Sequence, residues 1–406
     1  MEMTYAPPVD VLARHRSRAL TAGVVGLVAC AIAVVMDRDQ FYRSWLIAYL
    51  LFFSITIGSM GFVMIQHLSG GVWVVFRRIF EAASRTVPLM IVLFIPIALG
   101  LKTLFPWANP EVVQRDEILK HRELYLNTTF FLSRAAIYLV GSWVFTAILT
   151  RLSARQDEGD MSVNMTLQRV SGAGLVFLGI VAMFTGIDWI MALNAHWYST
   201  IFGFLMLGDF GLAALSFTII IGHTLIRAGA MTDVFKPSHF HDLGKLMFAF
   251  IMLWAYFNFS QYLLTVAANL PEEIPYMITR TSHGWGYLAM FLVLFQFAIP
   301  WLLLLSRDLK RRSRQLVILA VWILVVRYFD IYMMVSPEFM ANGVNVHTLI
   351  GEHATTLFFH WTDLAAPLAI GGLWMWMFYI QLAQRPLFPV GDPYLRESLA
   401  SGAGGH

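Results

Sequence analysis

The sequence predicts an all-α integral membrane protein of about ten transmembrane helices. Three observations carry this. Apolar residues come in runs of about 20 or more, the length that crosses a bilayer as a helix. The chain is 58% hydrophobic and only 13% charged, with mean hydropathy +0.66, where soluble domains average about 25% charged residues. Lys and Arg also alternate between the connections, which is the topological signature of a polytopic chain.

The candidate spans cover residues 17–36, 41–67, 71–104, 128–151, 166–193, 197–227, 242–269, 281–306, 314–335 and 355–384. The first follows a polar stretch, MEMTYAPPVDVLARHRSRAL, with no small-residue cleavage signal after the apolar run, so it reads as a retained span. The third is compound: GVWVVFRRIFEAASR is amphipathic, and only from about Thr86 is the run uniformly apolar. Pro88 and Pro96 favour a kink there. Residues 1–406 form one polytopic domain, and the tail 385–406, rich in Pro and Gly, reads as extended.

One set of connections carries Arg14, Arg16, Arg18, Arg77, Arg78, Arg85, Arg151, Arg155, Arg169, Arg227, Lys236, Lys245, Arg307, Lys310, Arg311, Arg312, Arg314, Arg385 and Arg396. The opposite set carries only Arg38, Arg43, Lys102, Arg115, Lys120, Arg122 and Arg280. This bias predicts an even number of spans with both termini in the cytoplasm. The outer connections 105–127, 270–280 and 336–354 are long and include acidic residues. They serve either as covers over span ends or as a docking surface for extracytoplasmic subunits.

Composition excludes several functions. The single cysteine, Cys30, cannot make an internal disulfide, a four-thiolate cluster or a c-type haem attachment. The net charge of +3 comes from basic residues at span ends, not from a nucleic-acid-binding patch. No zinc motif or nucleotide-binding loop is present. A b-haem site needs facing histidines in the core, and the deepest histidines lie near span ends. Trp and Tyr near span ends, among them Tyr42, Trp45, Trp107, Trp189, Trp197 and Tyr198, fit interfacial belts.

Ionisable groups inside spans are costly and point to function. Near the outer face the sequence places Arg134, Asp188, His283, Arg327, Asp330, His360 and Asp363. Arg327–Asp330 and His360–Asp363 are each three apart, which puts both members of a pair on one helix face. Near the inner face lie His67, Glu81, His223, His241, Asp242 and Lys245, the last three at a depth where water solvates them. Asp209 lies about twelve residues inside the sixth span, near the midplane, with no nearby cation in the sequence. Asn258 and Gln261 are placed to approach it. Such a carboxyl can pass between neutral and charged forms, as a proton relay requires. His67, Glu81, Asp209, Arg134, Asp188, Arg327, Asp330, His360 and Asp363 are therefore candidates for a proton path. Each also has a purely structural reading, as an interhelical ion pair or a hydrogen-bonded neutral acid. His360 and Asp363 are in addition candidate quinone ligands.

The stretches DWIMALNAHWYSTIFG (188–203), HDLGKLMFAFIMLWAYFNFSQYLLTVAANLPEEIPYMITR (241–280) and ELYLNTTFFLSRAAIYLVGSW (123–143) carry a resemblance. They are similar to the ActF-type membrane subunits of bacterial alternative complex III, in the NrfD/PsrC-like family of quinone-interacting membrane proteins. The resemblance runs over nearly the whole chain and is most specific from Trp254 to Pro275. It implies two four-helix bundles plus two flanking helices in a bacterial inner membrane, within a quinol:cytochrome c (or other acceptor) oxidoreductase. The partners it implies are a paralogous quinone-binding membrane subunit, an extracytoplasmic iron–sulfur subunit and multi-haem c-type cytochromes, with cytochrome oxidase as a further one. It implies no covalently bound cofactor in this chain, and no metal. A quinone (menaquinone or ubiquinone) and lipids are the ligands it allows.

Three functional classes fit these residues. The first is a non-redox membrane subunit of a quinol oxidoreductase, with a proton route. The second is a quinone-binding subunit that oxidises quinol near the outer face. The third is an ion-coupled secondary transporter using Asp209, although the paired broken half-helices of many transporters are missing.

Overall fold

In this computed structural model, residues 7–399 are described except 233, 272, 283, 342–356 and 396. The chain is an all-α membrane protein. Among the described residues ten helices are long and apolar enough to span a membrane, and no strand occurs. They are α1 (Val9–Met36), α2 (Arg38–Ser69), α3 (Trp73–Leu99), α4 (Thr128–Asp157) and α5 (Met161–Leu193), then α6 (Phe202–Arg227), α7 (Pro237–Ala268), α8 (Trp285–Leu305), α9 (Ser313–Ala341) and α10 (Thr362–Ala383).

Helices α2–α5 form one four-helix bundle, α6–α9 form a second, and α1 and α10 pack on each other outside both, with α10 against α2. α2 and α6 hold the bundles together. α2 is apolar around its whole circumference, the pattern of a helix with no exposed face, and nearly all of it is buried. Its backbone meets α6 at Gly58, where an added Cβ would lie 2.0 Å from the Phe210 carbonyl oxygen. Gly26 allows the same approach of α1 to α10: a Cβ there would lie 2.3 Å from the Ala369 nitrogen. Without a hydrophobic driving force between helices in lipid, such close backbone contact supplies the packing energy.

The start of α1 and the end of α10 lie on one face. The His15 ring stacks on Tyr379 near the end of α10, with centroids 5.7 Å apart. α3 is compound: a 3₁₀ turn (Val72–Phe76) and a short helix (Arg77–Ser84) precede the apolar helix Val87–Leu99. Pro88 falls in the first turn of that last piece, where its missing N–H costs nothing.

Several boundaries depart from the sequence reading, and three of the shifts move the polar residues. α6 begins at Phe202, because residues 194–201 are turn and loop. α9 continues to Ala341. α10 begins at Thr362, and residues 357–361 precede it without helical structure. The tail, read as extended, instead folds back over its described residues onto the face where α1 begins and α10 ends. Leu387, Phe388 and Leu395 are buried there, and Arg77 donates to Asp392. On the opposite face, residues 105–127 contain the short helices Pro110–Arg115 and Glu117–Arg122, and Ile274–Thr281 is helical too.

Candidate functional site

The shift of α6 relocates Asp209. Counted from Phe202 it is seven residues in, about 10 Å from the helix end at 1.5 Å per residue, and not at the midplane. The longer α9 puts Arg327 near the middle of its helix. Two residues assigned to different depths therefore meet. Arg327 Nη1 lies 2.8 Å from Asp209 Oδ1, and the side chains of both are fully buried. The cation that the sequence did not show for Asp209 is Arg327, brought in from another helix.

The same Nη1 also contacts Asp330, one turn along α9, so the expected i,i+3 pairing is present. Trp254 Nε1 on α7 donates to Asp330 Oδ2 at 2.9 Å. One guanidinium is thus shared by two carboxyls in the interior of the second bundle. Beyond the Arg327 contact neither Asp209 oxygen meets a donor, and Arg327 Nε and Nη2 have no acceptor. On α8 the wider π turn Val293–Ala298 carries Gln296, fully buried, with both amide atoms unpartnered. Asn258 and Gln261 do not join this site: Asn258 donates to the Trp254 carbonyl, and Gln261 pairs with Ser199 and Thr265.

The first bundle has a different arrangement. α5 ends in a π turn (Gly186–Ile190) that carries Asp188. Arg134 grips Asp188 with two bonds, Nε to Oδ2 and Nη2 to Oδ1, both 2.9 Å. Tyr125 and Tyr138 donate to the same carboxylate at 2.9 and 2.8 Å. The guanidinium also lies 3.9 Å from the Tyr125 ring centroid. Every oxygen lone pair has a use, and charge is balanced one to one.

His360 and Asp363 do not share a helix face as expected, because His360 precedes α10. Instead the His360 backbone N–H donates to Asp363 Oδ2 at 2.9 Å. Asp363 also accepts from Ser44 at 2.5 Å and Gln40 at 3.3 Å on α2. The His360 ring bonds Thr362 through Nδ1 at 2.8 Å. This group ties α10 to α2: Asp363 Oδ1 accepts both side-chain bonds from α2, and Oδ2 accepts the His360 N–H. His283, the remaining member of the predicted outer set, lies outside the described residues.

Glu81 faces α4 on the basic side. It meets Arg78 at 2.5 Å, Arg77 at 3.4 Å and Arg385 at 3.9 Å, and accepts from Ser153 at 2.8 Å. Arg78 also bonds Asp157, and Arg77 bonds Asp392 of the tail. Glu81 is therefore one knot in a balanced ionic cluster that docks the tail. His67 is buried, with Nε2 unpartnered. Lys245 and Asp242 form a half-exposed pair at 3.0 Å, as the solvated reading expected.

Several residues of these sites were missed. Tyr125, Tyr138 and Trp254 look like interfacial aromatics in sequence; Trp254 lies in the most specific part of the resemblance, which was its one signal. Arg280, counted as a connection charge, is buried, pairs with Glu338 at 2.7 Å, and covers the Tyr276 ring that stacks on Trp197. The small cleft beside them, about 150 Å³, is below the roughly 300 Å³ where ligand pockets begin. Among the described residues no group of three or more His, Cys, Asp or Glu side chains could hold a metal.

No protein-family model matches this chain, and no curated protein sequence matches it significantly.

Proposed function

We propose that this chain is a membrane subunit of a quinol:cytochrome c (or other acceptor) oxidoreductase that carries no redox centre and supplies a proton-holding site within the membrane. The oxidoreductase assignment rests on the resemblance to alternative complex III membrane subunits. The observation that carries the proton role is the sharing of Arg327 by Asp209 and Asp330.

Both carboxyl oxygens touch one nitrogen, so ordinary hydrogen-bond lengths keep them within about 5 Å of each other. At an effective dielectric near 20, two carboxylates at that distance repel by about 3 kcal/mol. One proton shared by the pair removes that repulsion and leaves the cluster neutral. The site then has two places for one proton, Asp209 and Asp330, on different helices. Unpartnered buried polar atoms on Arg327, Asp209 and Gln296 are groups that internal water can serve. Further along α2 and α6, Ser59 and Thr218 are buried hydroxyls without a protein partner, and His67 lies beyond them toward the basic face. Electrons and quinol belong to the partner subunits in this reading; Asp209 and Asp330 take and release the proton.

Asp209→Asn keeps the shape and removes one of the two proton positions. In the purified complex, reconstituted into vesicles, this variant is expected to retain quinol oxidation and lose proton uptake. Infrared difference spectra should show a protonated carboxyl band in the native chain and not in the variant. Normal proton uptake in Asp209→Asn would overturn the proposal. Purification of the chain from native membranes without an iron–sulfur protein or multi-haem cytochrome would overturn the oxidoreductase assignment instead.

A further inference from the structure

A second set of charges lies on the face where α1 begins and α10 ends, away from the ion clusters above. The connection between α8 and α9 carries Arg307, Lys310, Arg311, Arg312 and Arg314 against one acid, Asp308. Its helical part, Arg307–Arg311, is held by Ser306, whose Oγ accepts from the Leu309 N–H at 3.3 Å, and packs along α7. Gly244 makes that packing close. A Cβ at Gly244 would lie 2.8 Å from Lys310 Cγ, so the Lys310 stem crosses α7 in the notch of the missing side chain. Its ammonium sits 5.9 Å over the Phe248 ring.

Three cations converge as a result. Lys245, Lys310 and Arg307 are all charge neighbours of His241 at the start of α7. Lys245 is engaged by Asp242 at 3.0 Å and is still more than half exposed. Lys310 and Arg307 make no ion pair among the described residues. Partial burial, and then the charge of Lys245, lower the Lys310 pKa. Further along the same two helices, Met252 and Leu253 on α7 and Leu302, Leu303 and Leu305 on α8 are apolar and exposed.

We infer that the basic end of the α7–α8 pair binds one anionic phospholipid, its phosphate between Lys245, Lys310 and Arg307 and its acyl chains on the exposed apolar side chains of α7 and α8. The argument is complementarity of two kinds at adjoining depths. A soluble anion satisfies only the cations, whereas a phospholipid satisfies the cations and covers exposed apolar side chains next to them. Basic pockets between helices at the membrane surface hold lipid headgroups in this way, and Lys310 reaches the headgroup level by laying its stem along the helix.

The test uses the full-length chain, delipidated in detergent, with lipid binding read by native mass spectrometry and by the thermal unfolding midpoint. Phosphatidylglycerol is compared with phosphatidylcholine and with inorganic phosphate. The native chain is expected to bind phosphatidylglycerol and to unfold at a higher temperature with it than with phosphatidylcholine. A K245Q/R307Q/K310Q variant is expected to lose roughly 100-fold in phosphatidylglycerol affinity, from the usual contribution of each basic residue near a membrane surface. A control variant, R14Q/R18Q, removes two positive charges from the same face at α1 and should keep the native affinity. Equal loss in the control would reduce the effect to general surface charge and overturn the site. Unchanged binding in the triple variant, or an equal midpoint shift with inorganic phosphate, would overturn it as well.

Discussion

The two bundles solve the burial of carboxyl groups in opposite ways. In the first, Asp188 has one arginine of its own and two tyrosine hydroxyls, and each oxygen accepts two bonds. In the second, Arg327 serves two carboxyls at once, and Asp209 has no other donor. A buried ion pair is tolerable when charge and hydrogen bonds both balance. The first site meets both conditions and behaves as a tether between α4 and α5. The second meets neither with both carboxyls ionised, and balances only when a proton is added. The contrast separates a structural pair from a site with capacity to exchange a proton.

The comparison is broken most strongly at the first site. Arg134→Met leaves Asp188 charged and buried, and should cost about 3–5 kcal/mol, read as a fall in the unfolding midpoint and in folded yield. Adding Asp188→Asn should recover part of that, with a coupling energy of roughly 0.5–3 kcal/mol in a double-mutant cycle. Strict additivity would mean that the pair is not a tether. Arg327→Met should cost less than Arg134→Met, about 1–3 kcal/mol, because Asp209 and Asp330 can answer by protonation and lose only hydrogen-bond partners. If it costs more than Arg134→Met, the two carboxyls are both ionised in the native chain and the charge count above is wrong.

Asp209→Asn sharpens the contrast further. It leaves Arg327 paired one to one with Asp330, and is expected to change stability by less than about 1 kcal/mol. The corresponding Asp188→Asn strands Arg134 and should resemble Arg134→Met. Equal penalties for the two Asn variants would erase the distinction between the bundles.

The smallest effect is expected outside both bundles. Asp116 in the 105–127 connection contacts His196 at 2.6 Å and caps the helix that follows it. Partial burial raises the Asp116 pKa, but the amides of Leu119 and Ile118 and the His196 contact outweigh it, and the net direction is downward. A carboxyl with a lowered pKa stabilises above its unfolded value, near 3.9, and the contribution is lost as pH falls through the folded value. Asp116→Asn should therefore cost under about 1 kcal/mol at pH 7, as for other exposed pairs, and should not differ from the native chain at acid pH. A penalty that persists after protonation would point to the shape of the cap, not its charge.

Much of the architecture was legible in the sequence because lipid leaves few options. Span length, the alternation of Lys and Arg, and the compound third span all follow from local composition. Their ends were less legible. The sequence reading began the sixth span at residue 197, and the turn and loop over 194–201 delay that start to Phe202. That one shift moved Asp209 along its helix, and the extension of α9 moved Arg327 to meet it. His360 was misread for the same reason: a helix that begins at Thr362 and not at 355 changes an expected face pair into a backbone hydrogen bond.

By itself the sequence determined which residues enter the membrane and which of them bear charge, because hydropathy is a property of neighbours along the chain. It also determined Arg327–Asp330, because three residues on a helix is a fixed geometry. Only the tertiary structure decided that Asp209 belongs with that pair, that Trp254 completes it, and that Asp188 has Arg134 and two tyrosines to itself. Those contacts join different helices, and their partners are set by how the helices pack and at what height. No local pattern encodes that height.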